Sequence, residues 1–385
     1  MKTSLRPIAR WAALSLAALA GCGPTSGDPI EIGIAGPLSR ANGESMKLAA
    51  QMAVQEINDA GGIGGRKLLL KERDDEGNKE RAIDVAGYLR DSTQVVAVIG
   101  HVNSPATLAA AKIYNEEDGA HVGSPVVQIS PASSSPLVTG AGDWTFRICP
   151  SDLLHGPAVA KHAIAGLGRR RAAVLYTNDE YGRGVAETFS SAFRESGGTV
   201  VARDPYLPGL VEDATAVDPY LLRAIRSGMD ALMIAGQADA GMKIVREARR
   251  LGFTGPVFGA DGMTGVKDAG ADADGIFVSS AFLPDRDSGA AQAFVRAYRE
   301  RYGKEPDHRG AMTYDAVKLV AQAIAEVGTD RRAIRDYVAS VGLKGSKVPA
   351  YQGVSGTIAF DENGDVPGKE VAVGVVRGGR LATVR

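Results

Sequence analysis

The sequence predicts an α/β protein of two lobes, each built on a doubly wound, mostly parallel sheet, with three crossings of the chain between the lobes. Two observations predict this fold. Short apolar runs alternate with amphipathic stretches from Ile30 onward, and the alternation restarts after the segment WTFRIC at 144–149. Such alternation is typical of parallel sheets covered by helices on both faces. A length of 385 residues is enough for two domains of ordinary size.

The first half of the chain begins with the strand IEIGIAGPL and a helix that stops at a glycine pair, Gly61-Gly62. Apolar residues three and four positions apart indicate the helices, and short continuous apolar runs indicate buried strands. Strands are predicted over 30–38, 67–75, 94–100 and 121–130, and helices over 44–62, 79–92 and 104–119.

The second half repeats this pattern and then changes it. Helices are predicted over 155–168, 181–198, 218–228 and 239–253, and strands over 172–179, 199–207, 231–236, 256–261 and 275–282. Three helices then follow in succession, over 288–303, 310–328 and 330–342, before strands over 356–360, 370–377 and 379–385. We expect these three helices to cover the first sheet and the last strands to join the second, which requires three crossings.

The N-terminal segment predicts export. Residues 1–21 combine three cations and no acid with an apolar stretch too short to span a bilayer. The ending Leu19-Ala20-Gly21-Cys22 resembles a bacterial lipobox, in which Cys22 receives lipid; the alternative is an ordinary signal peptide with an incidental cysteine. Residues 22–29 then form a flexible tether. We therefore expect a lipid-anchored protein in the periplasm or at the cell surface.

Charge and cysteine content narrow the choice of partners. The formal charge of −1 becomes −4 without the three cations of residues 1–21, which is too small to indicate a nucleic acid partner. No other stretch has the length of a membrane helix. With Cys22 lipidated, Cys149 stands alone, so no intrachain disulfide is expected.

The segment GHVNSPAT at 100–107 joins a buried strand to a helix. Ser104 is predicted as the helix cap and Pro105 as a residue of the first turn. This is either an ordinary cap or half of a ligand site, because the N-terminus of a helix at the carboxyl end of a parallel strand attracts an anion. Asn103 lies in the same turn.

A second segment, ISPASSSP at 129–136, follows the next strand and should lie beside Ser104. Ala132, Ser133 and Ser134 offer backbone and hydroxyl groups without a charged side chain, which suits a small anion that must be released. The alternative is a serine-rich loop capped by Ser135.

The second lobe offers Tyr181, in NDEYGRG, and Asp261, in GADG. Tyr181 either covers a ligand or packs on its own lobe, and Asp261 either pairs with a cation or is a turn residue before glycine. Dinucleotide, phosphate-loop, hydrolase and metal-ligand spacings are all missing from the sequence. We therefore expect no cofactor, no metal and no catalytic activity.

The order of these motifs resembles the periplasmic leucine/isoleucine/valine-binding proteins, type I solute-binding components of ABC importers. The resemblance runs from Ile30 to the end of the chain, and the segments that carry it are GPLS, NDAGGIGGRKL, RDDEGNKERA, VIGHVNSPAT, ISPASSSP, NDEYGRG and YDAV. It implies hinge strands near 145–148, 277–281 and 355–359. The implied units are a signal peptide at 1–21, the tether at 22–29, lobe 1 at 30–146 plus 281–356, and lobe 2 at 147–280 plus 357–385.

The resemblance also implies roles for the candidate residues. Ser104 and Ser134 would hold the α-carboxylate of an amino acid, the Ala132 carbonyl and Asp261 its ammonium group, and Tyr181 would cover it. The neighbouring candidates are Asn103 and Ser133.

The chain departs from the family in four places. The family's disulfide cysteines correspond to Gly77 and Asn103, and the loop LSRANGES that contains Asn42 lacks a large aromatic residue. Gln237 replaces another aromatic, and Asp261 is one methylene shorter than the family's acid. These departures alter the pocket for the ligand's side chain and leave the contacts to its backbone groups unchanged.

The sequence therefore predicts a monomeric substrate-binding lipoprotein that delivers an amino acid, branched-chain or related, to an ABC permease in the membrane. Three alternatives stay open. The same fold could bind an amide, a urea-like compound or a small organic acid, which Gln237 and Asn42 favour. It could act as a ligand sensor for a membrane receptor, or as an enzyme that no motif predicts.

Overall fold

The computed structural model describes residues 27–117 and 123–384 of the chain. The predicted signal peptide, the lipidation site Cys22 and most of the tether lie outside the described residues, as do residues 118–122. Within the described ranges, none of the helices combines the length and the apolar character that crossing a bilayer requires.

Most strands and helices follow the predicted order, with ends displaced by a few residues; β4 begins only at Val127, and β11 is a strand that was not predicted. The strands are β1 (Ile30–Gly36), β2 (Leu68–Asp74), β3 (Val95–Gly100), β4 (Val127–Ser130), β5 (Thr145–Arg147), β6 (Arg171–Thr177), β7 (Thr199–Tyr206), β8 (Ala231–Ala235), β9 (Val257–Gly259), β10 (Phe277–Ser280), β11 (Tyr351–Gly353), β12 (Gly356–Ile358), β13 (Ala372–Arg377) and β14 (Arg380–Thr383). The helices are α1 (Ala41–Asp59), α2 (Lys79–Asp91), α3 (Ser104–Tyr114), α4 (Asp152–Lys161), α5 (Glu180–Glu195), α6 (Asp218–Arg226), α7 (Ala238–Arg250), α8 (Gly289–Tyr302), α9 (His308–Val327) and α10 (Arg331–Ser340).

The first sheet has the strand order β2-β1-β3-β4-β5, and all its neighbouring strands are parallel. Every residue of β3 is buried, as its unbroken apolar sequence predicts. Helix α9 packs against α1 and α10 against β3 and β4, so the late helices cover the first sheet. Arg331 fixes α10 there by donating to the carbonyl of Val95 over 2.8 Å.

The second sheet has the order β14-β13-β10-β9-β8-β6-β7. Strands β6 to β10 are parallel, whereas β13 pairs antiparallel with both β10 and β14. The last part of the chain therefore returns to the second sheet. The predicted fold class, two lobes with mostly parallel sheets, is confirmed.

Three connections join the two sheets. The chain leaves β5 and enters α4 at Asp152, and it leaves β10 so that Ala281 packs in the first core. On the third connection, Phe360 and Val366 still pack in the first core, and the chain reaches the second sheet only at β13. This return lies later than the predicted 355–359, because the hairpin β11–β12 occupies that region instead.

The first and third connections each carry a buried polar group. Cys149, directly after β5, is a free thiol packed in the first core with 1% of its surface exposed. On the third connection, Lys369 donates to Oγ of Ser355 over 2.8 Å, and that hydroxyl donates to Asp315 of α9 over 2.5 Å. The buried charge of Lys369 thereby ties the return of the chain to the first lobe.

Candidate functional site

The carboxyl ends of β3 and β4 bring the two serine-containing loops together. The backbone N–H of Ser135 donates to Oγ of Ser104 over 3.3 Å. Ser133 makes contacts inside the lobe, since its hydroxyl donates to the carbonyl of Val102 over 3.0 Å and lies 2.5 Å from Oγ1 of Thr107. Ser104 and the 132–135 loop thus form one polar surface at the N-terminus of α3.

The prediction that Ser104 caps α3 is wrong. Asn103 is the cap residue, its side chain makes no capping hydrogen bond, and Ser104 is the first helical residue. The Ser104 hydroxyl contacts the neighbouring loop instead of its own helix. As a result, the helix presents backbone N–H groups that no side chain caps.

Two buried polar atoms of this surface have no hydrogen-bond partner among the described residues, Oγ of Ser134 and Oδ1 of Asn103. Asn103 also adjoins Gly77, where an added Cβ would lie 3.2 Å from Oδ1 of Asn103. The two positions that correspond to the family's cysteines are therefore spatial neighbours, although neither is a cysteine here. Buried polar atoms without partners are rare in folded proteins and point to a ligand or water.

The second lobe contributes Tyr181 and Asp261. Tyr181 follows the start of α5, where Asp179 accepts the cap hydrogen bond from Gly182 over 2.7 Å. The Tyr181 hydroxyl donates to Oδ1 of Asp261 over 2.9 Å and accepts from the N–H of Gly262 over 2.8 Å. Tyr181 and Asp261 are thus fixed against each other within one lobe.

Asp261 carries its charge in a buried setting. Burial acts to raise the pKa of this carboxyl, but His155, His308 and Arg309 outweigh burial and lower the pKa below its ordinary value. His308 is itself neutral at pH 7, because burial and Arg309 lower its pKa to about 4. The permanent positive charge beside Asp261 is therefore that of Arg309.

Sequence reasoning missed Asp152, the first residue of α4. Its side chain is fully buried, and neither carboxyl oxygen has a hydrogen-bond partner among the described residues. Burial and the charge of Asp261 raise the pKa of Asp152 well above its ordinary value. The Ser134 hydroxyl is near enough to oppose that rise, but no hydrogen bond of good geometry joins the two side chains.

His308 and Arg309, at the start of α9, were also missed. Nη1 of Arg309 donates to Oδ2 of Asp307 over 3.0 Å and to Oγ1 of Thr264 over 3.1 Å. Nε2 of His308 lies 3.9 Å from Oδ2 of Asp261. Since Thr264 and Asp261 belong to the second lobe, these contacts join the lobes, as does the bond of 2.9 Å from Oγ of Ser135 to the carbonyl of Glu180.

A small cavity between the lobes, the inner cavity, collects most of the candidate residues. It has a volume of about 10 Å³ and is lined by Val102, Asn103, Ser104, Ala132, Tyr181, Gln237, Asp261, Gly262 and Arg309. This is room for about one water molecule, so the lobes are closed on each other. A ligand of amino-acid size enters only when they separate.

The remaining candidates lie around the inner cavity. Ser133 and Ser134 are buried in the loop behind it. Asn42 lines an adjoining open groove, the outer groove, with a volume of about 960 Å³. Gln237, Gly262 and Arg309 line both the inner cavity and the outer groove, so the two are continuous.

Among the described residues, the polar groups of the cleft are not arranged as a metal site. Across residues 27–117 and 123–384, no three histidine, cysteine or acidic side chains converge as metal ligands. The buried groups instead form two opposed surfaces. Uncapped N–H groups and hydroxyls come from the first lobe, and a carboxylate with an aromatic ring comes from the second.

Comparison with known proteins identifies relatives along almost the whole chain. Residues 29–380 match the family model described as periplasmic binding protein. A Leu/Ile/Val-binding protein homolog of Brucella abortus is 26% identical over 358 residues, which is 91% of each chain. An amino acid binding protein of Pseudomonas aeruginosa is 26% identical over 367 residues, which is 92% of each chain.

Solved structures show the same similarity. A leucine-binding protein from Thermotoga maritima is 29% identical, with a TM-score of 0.81, over 92% of this chain and 98% of that one. A substrate-binding protein of an ABC transporter from Desulfitobacterium hafniense, solved in complex with leucine, is 32% identical, with a TM-score of 0.73, over 93% of this chain and 100% of that one.

Proposed function

The chain belongs to the periplasmic binding protein family, and we propose that it is the extracytoplasmic solute-binding component of an ABC importer that binds an amino acid between its lobes. Members of this family bind solutes. The relatives named above include proteins described as binding leucine, isoleucine or valine.

The observation that carries the proposal is the pairing of opposite chemistries across the inner cavity. Ser104 and the N-terminus of α3 offer donors to a carboxylate, and Asp261 offers a buried negative charge to an ammonium group. Ala132 lines the same cavity, and its carbonyl would add an acceptor. An α-amino acid carries both charges on one carbon and therefore fits both surfaces.

Ligand binding should favour the closed arrangement of the lobes. The carboxylate contacts belong to the first lobe, whereas Asp261 and Tyr181 belong to the second. A ligand held by both lobes gains its full set of contacts only in the closed state, and it shifts the population toward that state by the free energy of the added contacts. This is how the protein would retain its solute until a permease receives it.

We further propose that Cys22 carries the lipid anchor and that a membrane permease receives the solute. The lipobox-like ending of residues 1–22 supports the anchor. A structural relative described as the substrate-binding protein of an ABC transporter supports the permease. The protein would act as a monomer.

Thermal unfolding in the presence of single amino acids tests the proposal. The purified protein is first denatured and refolded to remove carried ligand, and each amino acid is then added at millimolar concentration. A ligand at 100 times its Kd adds about 2.7 kcal/mol to the free energy of unfolding, which raises the Tm by several degrees. We expect a selective rise with one or a few amino acids.

Two variants make the test specific. Ser104→Ala removes a hydroxyl that lines the inner cavity and should reduce the ligand-induced rise. Ser190→Ala removes an equally buried hydroxyl within α5 that has no hydrogen-bond partner among the described residues, and it should leave the rise unchanged. A rise with amides or simple organic acids alone would favour the second candidate, a non-amino-acid solute, which the amide of Gln237 in the inner cavity supports.

A further inference from the structure

We propose that the ligand is an acidic amino acid, whose side-chain carboxylate pairs with Arg309 at the junction of the inner cavity and the outer groove. This inference rests on the proposed function and names the class of its substrate.

The geometry of the two cavities sets that direction. Ser104, Ala132 and Asp261 line only the inner cavity, whereas Gln237, Gly262 and Arg309 line both the inner cavity and the outer groove. A ligand held by its carboxylate and ammonium groups at the inner end can extend its side chain only toward the groove. The first charged group that the side chain meets there is the guanidinium of Arg309.

Arg309 is buried and has hydrogen-bond donors that the described part of the protein does not use. Its side chain is 4% exposed, and its Nε is buried without a hydrogen-bond partner among the described residues. The existing contacts, to Asp307 and Thr264, both use Nη1. The guanidinium therefore retains donors for a second carboxylate, and a planar fork of donors matches a carboxylate with two bonds.

The charge of the outer groove supports the same conclusion. The outer groove is lined by eight lysine and arginine residues and five aspartate and glutamate residues, although the whole chain has a formal charge of −1. Lys243 and Arg246 of this lining pair with Glu212 and Asp272 outside it, which leaves an excess of one positive charge to attract an anionic ligand.

An apolar side chain fits this environment poorly. The amides of Gln237 and Asn42 and the guanidinium of Arg309 surround the path, and burying them against a leucine side chain would remove water without replacing its hydrogen bonds. The large aromatic residues that the resemblance implies in the loop LSRANGES and at position 237 are absent, although Tyr298 lines the groove elsewhere. Polar groups take their place.

Isothermal titration calorimetry with five amino acids tests the inference. Glutamate, aspartate, glutamine, leucine and valine are titrated into the purified, ligand-stripped protein. We expect glutamate or aspartate to bind at least tenfold more tightly than leucine and valine, and more tightly than glutamine. Tighter binding of leucine, valine or glutamine overturns the acidic class and leaves the proposed function intact. Absence of binding by all five, together with a Tm rise for another amino acid in the unfolding test, overturns the acidic class alone. A Tm rise with no amino acid overturns the proposed function and this inference with it.

Variants at position 309 assign the effect to its guanidinium. Arg309→Met should weaken binding of the acidic ligand about tenfold to 150-fold, the value of a hydrogen bond between charged groups, while binding of leucine is unchanged or improved. Arg309→Lys should bind the acidic ligand with an affinity between those of the unchanged protein and of Arg309→Met, because lysine keeps the positive charge but loses the planar pair of donors. Arg299→Gln, on the exposed rim of the outer groove, is the matched control and should change affinity less than about threefold.

A separate variant keeps the test valid if Arg309→Met does not fold. Asp307→Asn retains the side-chain oxygen that accepts from the N–H of Gly310 at the start of α9, and it frees Arg309 from its ion pair. Binding of the acidic amino acid should then become tighter, with little change for glutamine. An unchanged preference between glutamate and glutamine in Asp307→Asn would show that Arg309 is only a structural ion-pair partner, and the inference would be overturned.

Discussion

The hydroxyl of Tyr181 donates a hydrogen bond of 2.9 Å to Oδ1 of Asp261 and thereby joins two residues that are 80 positions apart in the chain. The N–H of Gly262 donates to the same hydroxyl. Because all three residues belong to the second lobe, this arrangement does not depend on whether the lobes are open or closed. The aromatic ring and the carboxylate are prepared for a ligand before it arrives, which lowers the ordering cost of binding.

Tyr181→Phe should lower the free energy of unfolding of the ligand-free protein by about 1–3 kcal/mol, because the change leaves the Gly262 N–H and one oxygen of Asp261 without a partner in a buried site. Urea denaturation measures the difference. Tyr176→Phe, at a half-buried position of β6, is the control and should change stability by less than about 0.5 kcal/mol. Equal effects of the two changes would contradict the role given to the Tyr181 hydroxyl.

Asp261→Asn should weaken binding of the amino acid at least tenfold, since the isosteric amide removes the charge that faces the ammonium group. Gln237→Ala should weaken binding less than about threefold, because it removes a neutral group at the side-chain end of the cleft. Titration calorimetry with the preferred amino acid compares the two variants. Small and equal losses would show that the ammonium group binds elsewhere.

His308 should make the folded protein sensitive to acid. In the unfolded chain a histidine takes up a proton near its ordinary pKa of 6.5, whereas burial and then Arg309 lower the pKa of His308 to about 4, despite the opposing charges of Asp307 and Asp261. The unfolded state therefore binds the extra proton as the pH falls from 6.5 to 4. Stability should drop by about 3 kcal/mol across this window on account of this residue.

His308→Asn tests that prediction through the pH dependence of urea denaturation. Between pH 7 and pH 4, the free energy of unfolding of the variant should fall by about 3 kcal/mol less than that of the unchanged protein. His162→Asn is the comparison: its pKa is also lowered by burial, but the residue is half-buried, so its effect on the pH dependence should be smaller. If His308→Asn follows the pH dependence of the unchanged protein, the neutral state assigned to His308 is incorrect.

Lys369 and Asp315 should act as a coupled pair. Burial lowers the pKa of Lys369 to about 8, so the ammonium form still predominates at pH 7, and Ser355 links it to the buried carboxyl of Asp315. Lys369→Met should lower the free energy of unfolding by about 3 kcal/mol by leaving the charge of Asp315 unpaired. Adding Asp315→Asn should recover at least about 1 kcal/mol in a double-mutant cycle. Additive losses would mean that the two groups do not interact.

Local sequence predicted the fold because the pattern of apolar residues in each element indicates how that element is buried. The run VVAVIG could only be a buried strand, and the serine-rich segments at the ends of β3 and β4 had to meet, since the carboxyl ends of neighbouring parallel strands lie at one edge of a sheet. Ser104 was placed in the cleft for this reason. Its role as a cap was misjudged, because the choice between Asn103 and Ser104 depends on a contact to Ser135 in another loop.

Asp152, His308 and Arg309 could not be found in the same way. Asp152 begins α4 directly after the first crossing, and His308 and Arg309 begin α9. Only the packing of each helix decides whether its first turn faces the cleft. The segment DHRG contains a helix cap, in which Asp307 accepts from the N–H of Gly310. The spacing of its residues does not indicate whether their side chains face the cleft or the solvent. The packing of α9 on α1 sets the position of His308 and Arg309, and the packing of α4 on α5 sets that of Asp152.

The buried thiol after β5 has a practical consequence. Among the described residues Cys149 is the only cysteine, it adjoins the first crossing, and burial raises the pKa of its thiol despite the nearby charge of Arg147. A thiol-reactive dye can therefore modify it only when the surrounding structure opens. The labelling rate therefore reports how often the structure opens at the crossing. A tightly held solute should lower this labelling rate in proportion to the time it keeps the lobes together.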